Sequence, residues 1–282
     1  MTELEYQGQT TADLVRFVIA RETARIVSHD PAARLQRDPE GVHQLRVGSR
    51  RLRSQFRVLA PVLRTKPSAA LQRELLWIGG VAGHVRDSDA LRMLLSPATD
   101  SETLYWEMLS SWLKERERAP KKRFQTALTS TRYREFLRSL TDAVVDPPVR
   151  SRFASLSPSV TLAGLAASSR SSFVQSVQEL PTNPDNYALH RLRIAAKRSR
   201  YGLEVALLFS EENTAHDLER FTRIQESLGQ LHDAVIALEL LNAAPDATSD
   251  LARPLRDRLV RNAAENRLAW RDDADKLRSA NK

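Results

Sequence analysis

Two short segments of the chain hold cations in a pattern suited to phosphate chemistry. His43, Arg46, Arg50, Arg53 and Arg57 lie 3, 4, 3 and 4 residues apart. At about 100° per residue they fall on one arc of a helix, roughly 80° wide. Leu45, Leu52, Phe56 and Leu59 mark an apolar stripe on the far side. His190, Arg193, Lys197 and Arg200 repeat the 3, 4, 3 spacing, with Leu192 and Leu203 on their apolar side. Neighbours in such a row stand about 5–6 Å apart. Arginine adds a planar fork of donors that grips phosphate oxygens in pairs.

Like charges at these spacings destabilise a helix by a few tenths of a kcal/mol per pair. Neither segment offsets that cost locally. No Asp or Glu occurs from His43 to Arg57, and none from His190 to Tyr201. A single row of this kind reads as a basic solvent face, or as arginines paired with acids from another helix. Its recurrence favours a pair of phosphate-binding rows. His43 and His190 open the two rows. A lone histidine there is either a hydrogen-bonded boundary residue or a direct anion contact. Nearby arginines favour its neutral form, and a bound phosphate favours the charged one.

The elements that must position these rows are themselves repeated. Val42-His43-Gln44-Leu45-Arg46-Val47 matches Leu189-His190-Arg191-Leu192-Arg193-Ile194 at an offset of 147 residues. Gly83-His84-Val85-Arg86-Asp87 matches Gly229-Gln230-Leu231-His232-Asp233 at an offset of 146. Two separate segments in one register imply an internal duplication. Its halves are 1–146 and 149–280. Each half runs through an opening helix, the His/Arg helix, the Gly/Asp helix and one or two closing helices. The expected fold is all-α: two pseudo-symmetric antiparallel helical bundles, roughly four helices each.

Periodicity places helices at about 11–35, 39–60, 68–95, 102–128, 131–145, 159–180, 184–209, 213–243 and 250–278. Asp38-Pro39-Glu40 and Asn183-Pro184-Asp185 each offer a capping side chain, a proline at the first helical position and an acid in the first turn. Ser96-Pro97 stops one helix, and Asp146-Pro147-Pro148 breaks the chain near its middle.

Composition narrows the function classes. The 282 residues are 41% hydrophobic, enough for a real core. Glycine is scarce at 9 residues, which disfavours sheet-rich and glycine-loop enzymes. The net charge of +8 favours acidic partners such as nucleic acid, polyphosphate or anionic lipid. Seven of the 43 basic residues are lysine. There is no cysteine, so disulfide and thiolate chemistry are excluded. No apolar run reaches a membrane span of about 18–20 residues, and residues 1–10 lack a leader pattern. A cytoplasmic protein without membrane attachment is the expectation.

Other candidates are weaker. Asp87 and Asp233 occupy matching places, and Asp89 adds a second local acid. Val235 stands where a symmetric metal site would need the counterpart of Asp89, so no metal site is expected. Asp87 and Asp233 read better as structural partners of an arginine. Gly83 and Gly229 read as points of close helix approach. His29, His84, His216 and His232 lack zinc-ligand spacing. No phosphate-binding loop, nucleophile elbow or dinucleotide fingerprint occurs, so neither a catalytic residue nor a cofactor is expected. Lys121-Lys122-Arg123 reads as a solvated basic face. Trp77, Trp106, Trp112 and Trp270 read as core.

Together these segments resemble a known family. Asp38 to Val47 followed by Arg50-Arg51-Leu52-Arg53 is similar to the first signature of the CHAD family, the conserved histidine α-helical domain. Val81 to Asp89 resembles its Leu-Gly-x-x-Arg-Asp-x-Asp segment, with Ala82 in place of the leucine. Leu128 to Tyr133 resembles its Ser-x-Arg-Tyr segment. Leu189 to Tyr201 resembles its second histidine signature. Leu228 to Asp233 is similar to the companion segment, with His232 in place of arginine. The resemblance implies one such domain over residues 1–282, with a basic channel between two helical bundles that binds inorganic polyphosphate without turning it over. It also implies association with polyphosphate granules. The positions carried over are His43, Arg46, Arg50, Arg51, Arg53, His190, Arg193, Lys197, Arg198 and Arg200; Arg57 joins them from the spacing. The Glu-x-Glu-x-Lys signature of an accompanying triphosphate enzyme is missing. The competing readings are a nucleic-acid-binding helical protein and a metal-dependent phosphohydrolase. The first would place aromatics among the cations, and the second needs an acid cluster.

Overall fold

The computed structural model describes residues 6–35, 38–210 and 214–279. The first half of segment 1–10 and the first residue of the helix expected at 213 lie outside them. Among the described residues the chain is all-α, and its one extended contact is an isolated bridge between Leu63 and Val149.

The helices are α1 Thr11–Leu35, α2 Pro39–Val58, α3 Thr65–Leu95, α4 Asp100–Thr129 and α5 Thr131–Val145. Two short helices follow, α6 Ser151–Ala154 and α7 Pro158–Thr161. The chain ends with α8 Leu165–Gln178, α9 Asn186–Ala206, α10 Thr214–Asn242, α11 Arg253–Asn266 and α12 Arg271–Ser279. No helix among the described residues is long and apolar enough to cross a membrane.

The local chemistry explains the boundaries. Thr10 and Asp13 exchange hydrogen bonds at the start of α1, a reciprocal cap on two orphan amides. Asp38 caps α2 by accepting from the Glu40 amide at 2.8 Å, and Pro39 follows at the first helical position. Ser130 caps α5 by accepting from the Tyr133 amide. The Ser-x-Arg-Tyr segment is thus a clasp. Arg132 pairs with Glu74 at 2.7 Å and lies over the Trp77 ring. The buried Tyr133 hydroxyl donates to Asp30 at 2.8 Å.

Several expected boundaries move. The helix expected over 159–180 is split into α7 and α8, because Gly164 takes φ +73°, a left-handed conformation no helix accepts. The helix expected over 250–278 breaks between Asn266 and Arg271. α9 starts two residues later than expected. Asp185, not Asn183, accepts from the helix, at 2.7 Å from the Ala188 amide, while the Pro184 carbonyl accepts from Arg267. Only Trp270 of the four tryptophans is buried. Trp77 and Trp112 lie at the boundary under Arg132 and Arg116, where an indole keeps one face for a cation.

The chain packs as two compact units. Unit 1 comprises Met1–Asp87, Ala119–Leu165 and Glu204–Glu211; unit 2 comprises Ser88–Arg118, Ala166–Leu203 and Glu212–Lys282. Each is discontinuous in sequence, so α3, α4 and α9 each contribute residues to both. In unit 1, Leu45, Leu52 and Phe56 of α2 pack with Leu14, Val18 and Ile26 of α1. Gly41 and Gly48 let these two helices meet. A Cβ on Gly41 would sit 2.5 Å from the Ala33 backbone nitrogen, and one on Gly48 would sit 2.9 Å from Ile26. In unit 2, Leu189, Leu192, Ala196 and Leu203 of α9 pack with Phe221, Ile224, Leu228 and Leu231 of α10.

Buried acids organise both units. Glu22 of α1, fully buried, contacts Arg21, Arg25 and Arg51 at 3.2–3.3 Å. In unit 2, Glu102 holds Arg258, Glu117 holds Arg92, and Asp217 holds Arg170 and Arg220. Each buried carboxylate thus meets a guanidinium, as the cost of burying charge demands.

Candidate anion-binding rows

In unit 1, α2 buries its apolar face and turns His43, Arg46, Arg50, Arg53 and Arg57 to another. All but Arg57 are half-buried. Their charges crowd one another. The Arg53 guanidinium is pushed below its ordinary range by burial first and then by Arg57 and Arg50. Its Nε is buried and makes no hydrogen bond among the described residues. Arg46 meets Asp87 of α3 at 3.0 Å. Asp87 is 59% exposed, so water and salt screen that contact.

His43 is fixed by a residue outside the predicted set. Arg86 of α3 donates from Nε to the His43 Nδ1 at 3.0 Å. Guanidinium has no acceptor, so Nδ1 must carry the lone pair, and His43 is neutral with its proton on Nε2. Burial, Arg86, Arg50 and Arg46 lower its affinity for a second proton, while Glu40 raises it.

In unit 2, α9 places His190, Arg193, Lys197 and Arg200 at half-buried positions. Arg200 donates to Gln225 at 2.9 Å and lies over the Tyr201 ring. His190 meets a second histidine from α10: the rings of His190 and His232 are 4.4 Å apart, tilted by 42°. Both are harder to protonate than a free histidine. For His190 the causes are burial, then Arg193 and Lys197. For His232 burial leads, followed by Arg193, His190 and Lys197, and its pKa falls to about 4.

The two units share a contact pattern. The histidine of the row touches position 86 in one unit and 232 in the other, matching places in the repeated Gly/Asp segment. The arginine three residues later lies by the glycine: a Cβ on Gly83 would be 3.5 Å from the Arg46 Nε, and one on Gly229 would be 3.8 Å from the Arg193 Nε. These are ordinary contact distances, so Gly83 and Gly229 are not the tight crossings expected; Gly41 and Gly48 are. Arg86 and His232 were absent from the expected site. Their alignment at the 146-residue offset is the signal that could have found them.

Two expected row members lie elsewhere. Arg51 turns to the buried acids, contacting Glu22 at 3.3 Å and Glu204 at 2.8 Å. Arg198 is exposed and, with Arg191, lines a groove of about 530 Å³ against Leu180, Pro181 and Ile194. Among the described residues no group of three or more His, Cys, Asp or Glu is placed to hold a metal ion.

The family model of the CHAD domain matches residues 18–242. The chain belongs to the CHAD domain family. It is similar to the crystal structure of the CHAD domain from the plant Ricinus communis, with 25% identity and a TM-score of 0.76, covering 99% of this chain and 94% of that one. It is also similar in fold to PptA from Streptomyces chartreusis, with 17% identity and a TM-score of 0.74, covering 94% of this chain and 99% of that one. A search of curated proteins returned no match.

Proposed function

We propose that this CHAD-domain protein binds inorganic polyphosphate without catalysis, through the cation rows of α2 and α9. The observation that carries the reading is the crowding of like charge at half-buried positions along one face of each helix. Arg50 and Arg57 both press on Arg53, and Arg193 and Lys197 both press on His190 and His232. Such a field favours a ligand with a negative charge on every unit. The arginines and Lys197 bind phosphate oxygens, and the neutral His43 offers a donor at Nε2. The matched contacts of the two rows support an origin by internal duplication. The expected setting is the cytoplasm, at polyphosphate granules.

Each neutralised phosphate releases counterions, so raising salt from about 50 to 200 mM should weaken binding by roughly a thousandfold. The test is a titration with long-chain polyphosphate and with single- and double-stranded DNA at matched charge and salt, with phosphate release assayed alongside. Polyphosphate should bind tightest and remain intact. Tighter binding of DNA would replace the reading with nucleic-acid recognition, and turnover with added Mg²⁺ would replace it with hydrolysis. Replacing Arg46 and Arg50 by alanine should weaken binding about as much as replacing Arg193 and Lys197. An effect confined to one pair would reduce the site to one row.

A further inference from the structure

The matching positions 86 and 232 carry different chemistry. Arg86 is a permanent cation, and it donates to the ring nitrogen that a second proton on His43 would need. Protonating His43 therefore breaks a hydrogen bond and sets two cations side by side. The His190 Nδ1 is buried and makes no hydrogen bond among the described residues. Its ring contacts another titratable ring, that of His232.

We propose that the His190–His232 pair makes the α9 row a proton-coupled anion site, taking up protons as the polyanion binds and tightening its grip as pH falls. The inference rests on the reading of α9 as a polyphosphate-binding row.

The charges that act on the pair are Arg193 and Lys197 of α9, together with the two histidines themselves. All are cationic or become so. Burial and the neighbouring cations together disfavour the charged form of both rings in the free protein. A polyanion on the row reverses the sign of that field and supplies acceptor oxygens for ring N–H groups, so the charged forms become favourable. Binding then draws protons from solvent. By linkage, affinity rises about tenfold per pH unit for each proton taken up. In unit 1, Arg86 supplies its charge at every pH, so the α2 row lacks this coupling through position 86.

The experiment measures long-chain polyphosphate binding between about pH 5 and pH 8. Calorimetry in buffers of different ionisation heat counts the protons absorbed, and the His190 and His232 ring resonances are followed free and bound. The wild-type protein should bind at least about tenfold tighter at the acidic end and absorb protons, with both resonances moving toward the charged form. His232→Arg places the residue of unit 1 in unit 2. It should bind tighter at neutral pH and absorb fewer protons. His232→Gln, which is neutral and polar, should also absorb fewer protons but bind more weakly at acidic pH. Thermal midpoints of both variants at neutral pH confirm that they fold. Binding with no proton uptake overturns this inference and leaves the polyphosphate reading standing. Uptake unchanged in both variants assigns the protons elsewhere and also overturns it. Absence of polyphosphate binding at every pH overturns both.

Discussion

Arg50 and Arg51 are adjacent on α2 and face different surroundings. Arg50 belongs to the crowd of cations that presses on His43 and Arg53. Arg51 reaches the fully buried Glu22 and the largely buried Glu204. Replacing Arg51 with alanine takes a partner from both carboxylates, though Arg21 and Arg25 still hold Glu22. It should lower unfolding stability by about 1–3 kcal/mol and leave polyphosphate affinity within about twofold. Arg50→Ala should weaken binding and lower the urea midpoint less than Arg51→Ala does. Equal behaviour of the two in both measurements would refute this division. The distinction was not legible locally, because the acids that hold Arg51 lie 29 residues before it and 153 after it in the chain. Helical spacing set Arg51 outside the 3, 4, 3, 4 row, but what it meets there was not legible. The same reason hid Arg86 and His232: helical spacing shows which residues share a face, and only packing shows what meets that face.

At the scale of elements, helix crossings decide which glycines matter. A side chain on Gly41 would strike the α1 backbone at Ala32 and Ala33, which has no rotamer to yield. Gly41→Ala should therefore cost at least about 1–3 kcal/mol as overpacking. Gly83→Ala adds a methyl at ordinary contact distance from Arg46 and should be neutral, or stabilising by up to about 1 kcal/mol through helix propensity. Urea midpoints of the two variants check this, and a larger loss for Gly83→Ala would contradict it. The sequence marked Gly83 because its segment is matched at the 146-residue offset, whereas Gly41 carries no mark of its own. Helix existence was easier to read than helix continuity. The regular apolar spacing across 159–180 persists through Gly164, and only the left-handed backbone there shows the break.

At the scale of the whole molecule, the arginine-rich composition serves two tasks. Much of it neutralises buried acids such as Glu22, Glu102 and Asp217, and the rows hold another part. Net charge alone could not distinguish them. The sequence order of the helices was read well, but the grouping of contacts was not, because periodicity carries no information about where a long helix changes neighbours. That grouping bears on what happens if the chain is cut. Cleavage after Asp146 leaves one peptide holding 88–118, which belongs to unit 2, and another holding 147–165 and 204–211, which belong to unit 1. The first peptide lacks Val149, Leu162 and Val205 of the unit 1 core; the second keeps the α9–α10 cluster but lacks Leu95, Tyr105, Leu109 and Leu113, which pack with Leu241 and Leu255 in unit 2. Each alone should unfold without a sharp transition, and the two mixed should recover cooperative melting and polyphosphate binding. Sharp melting of either peptide by itself would show that its share of the contacts suffices. Nicked at that point, the protein should behave as an obligate heterodimer of its own parts.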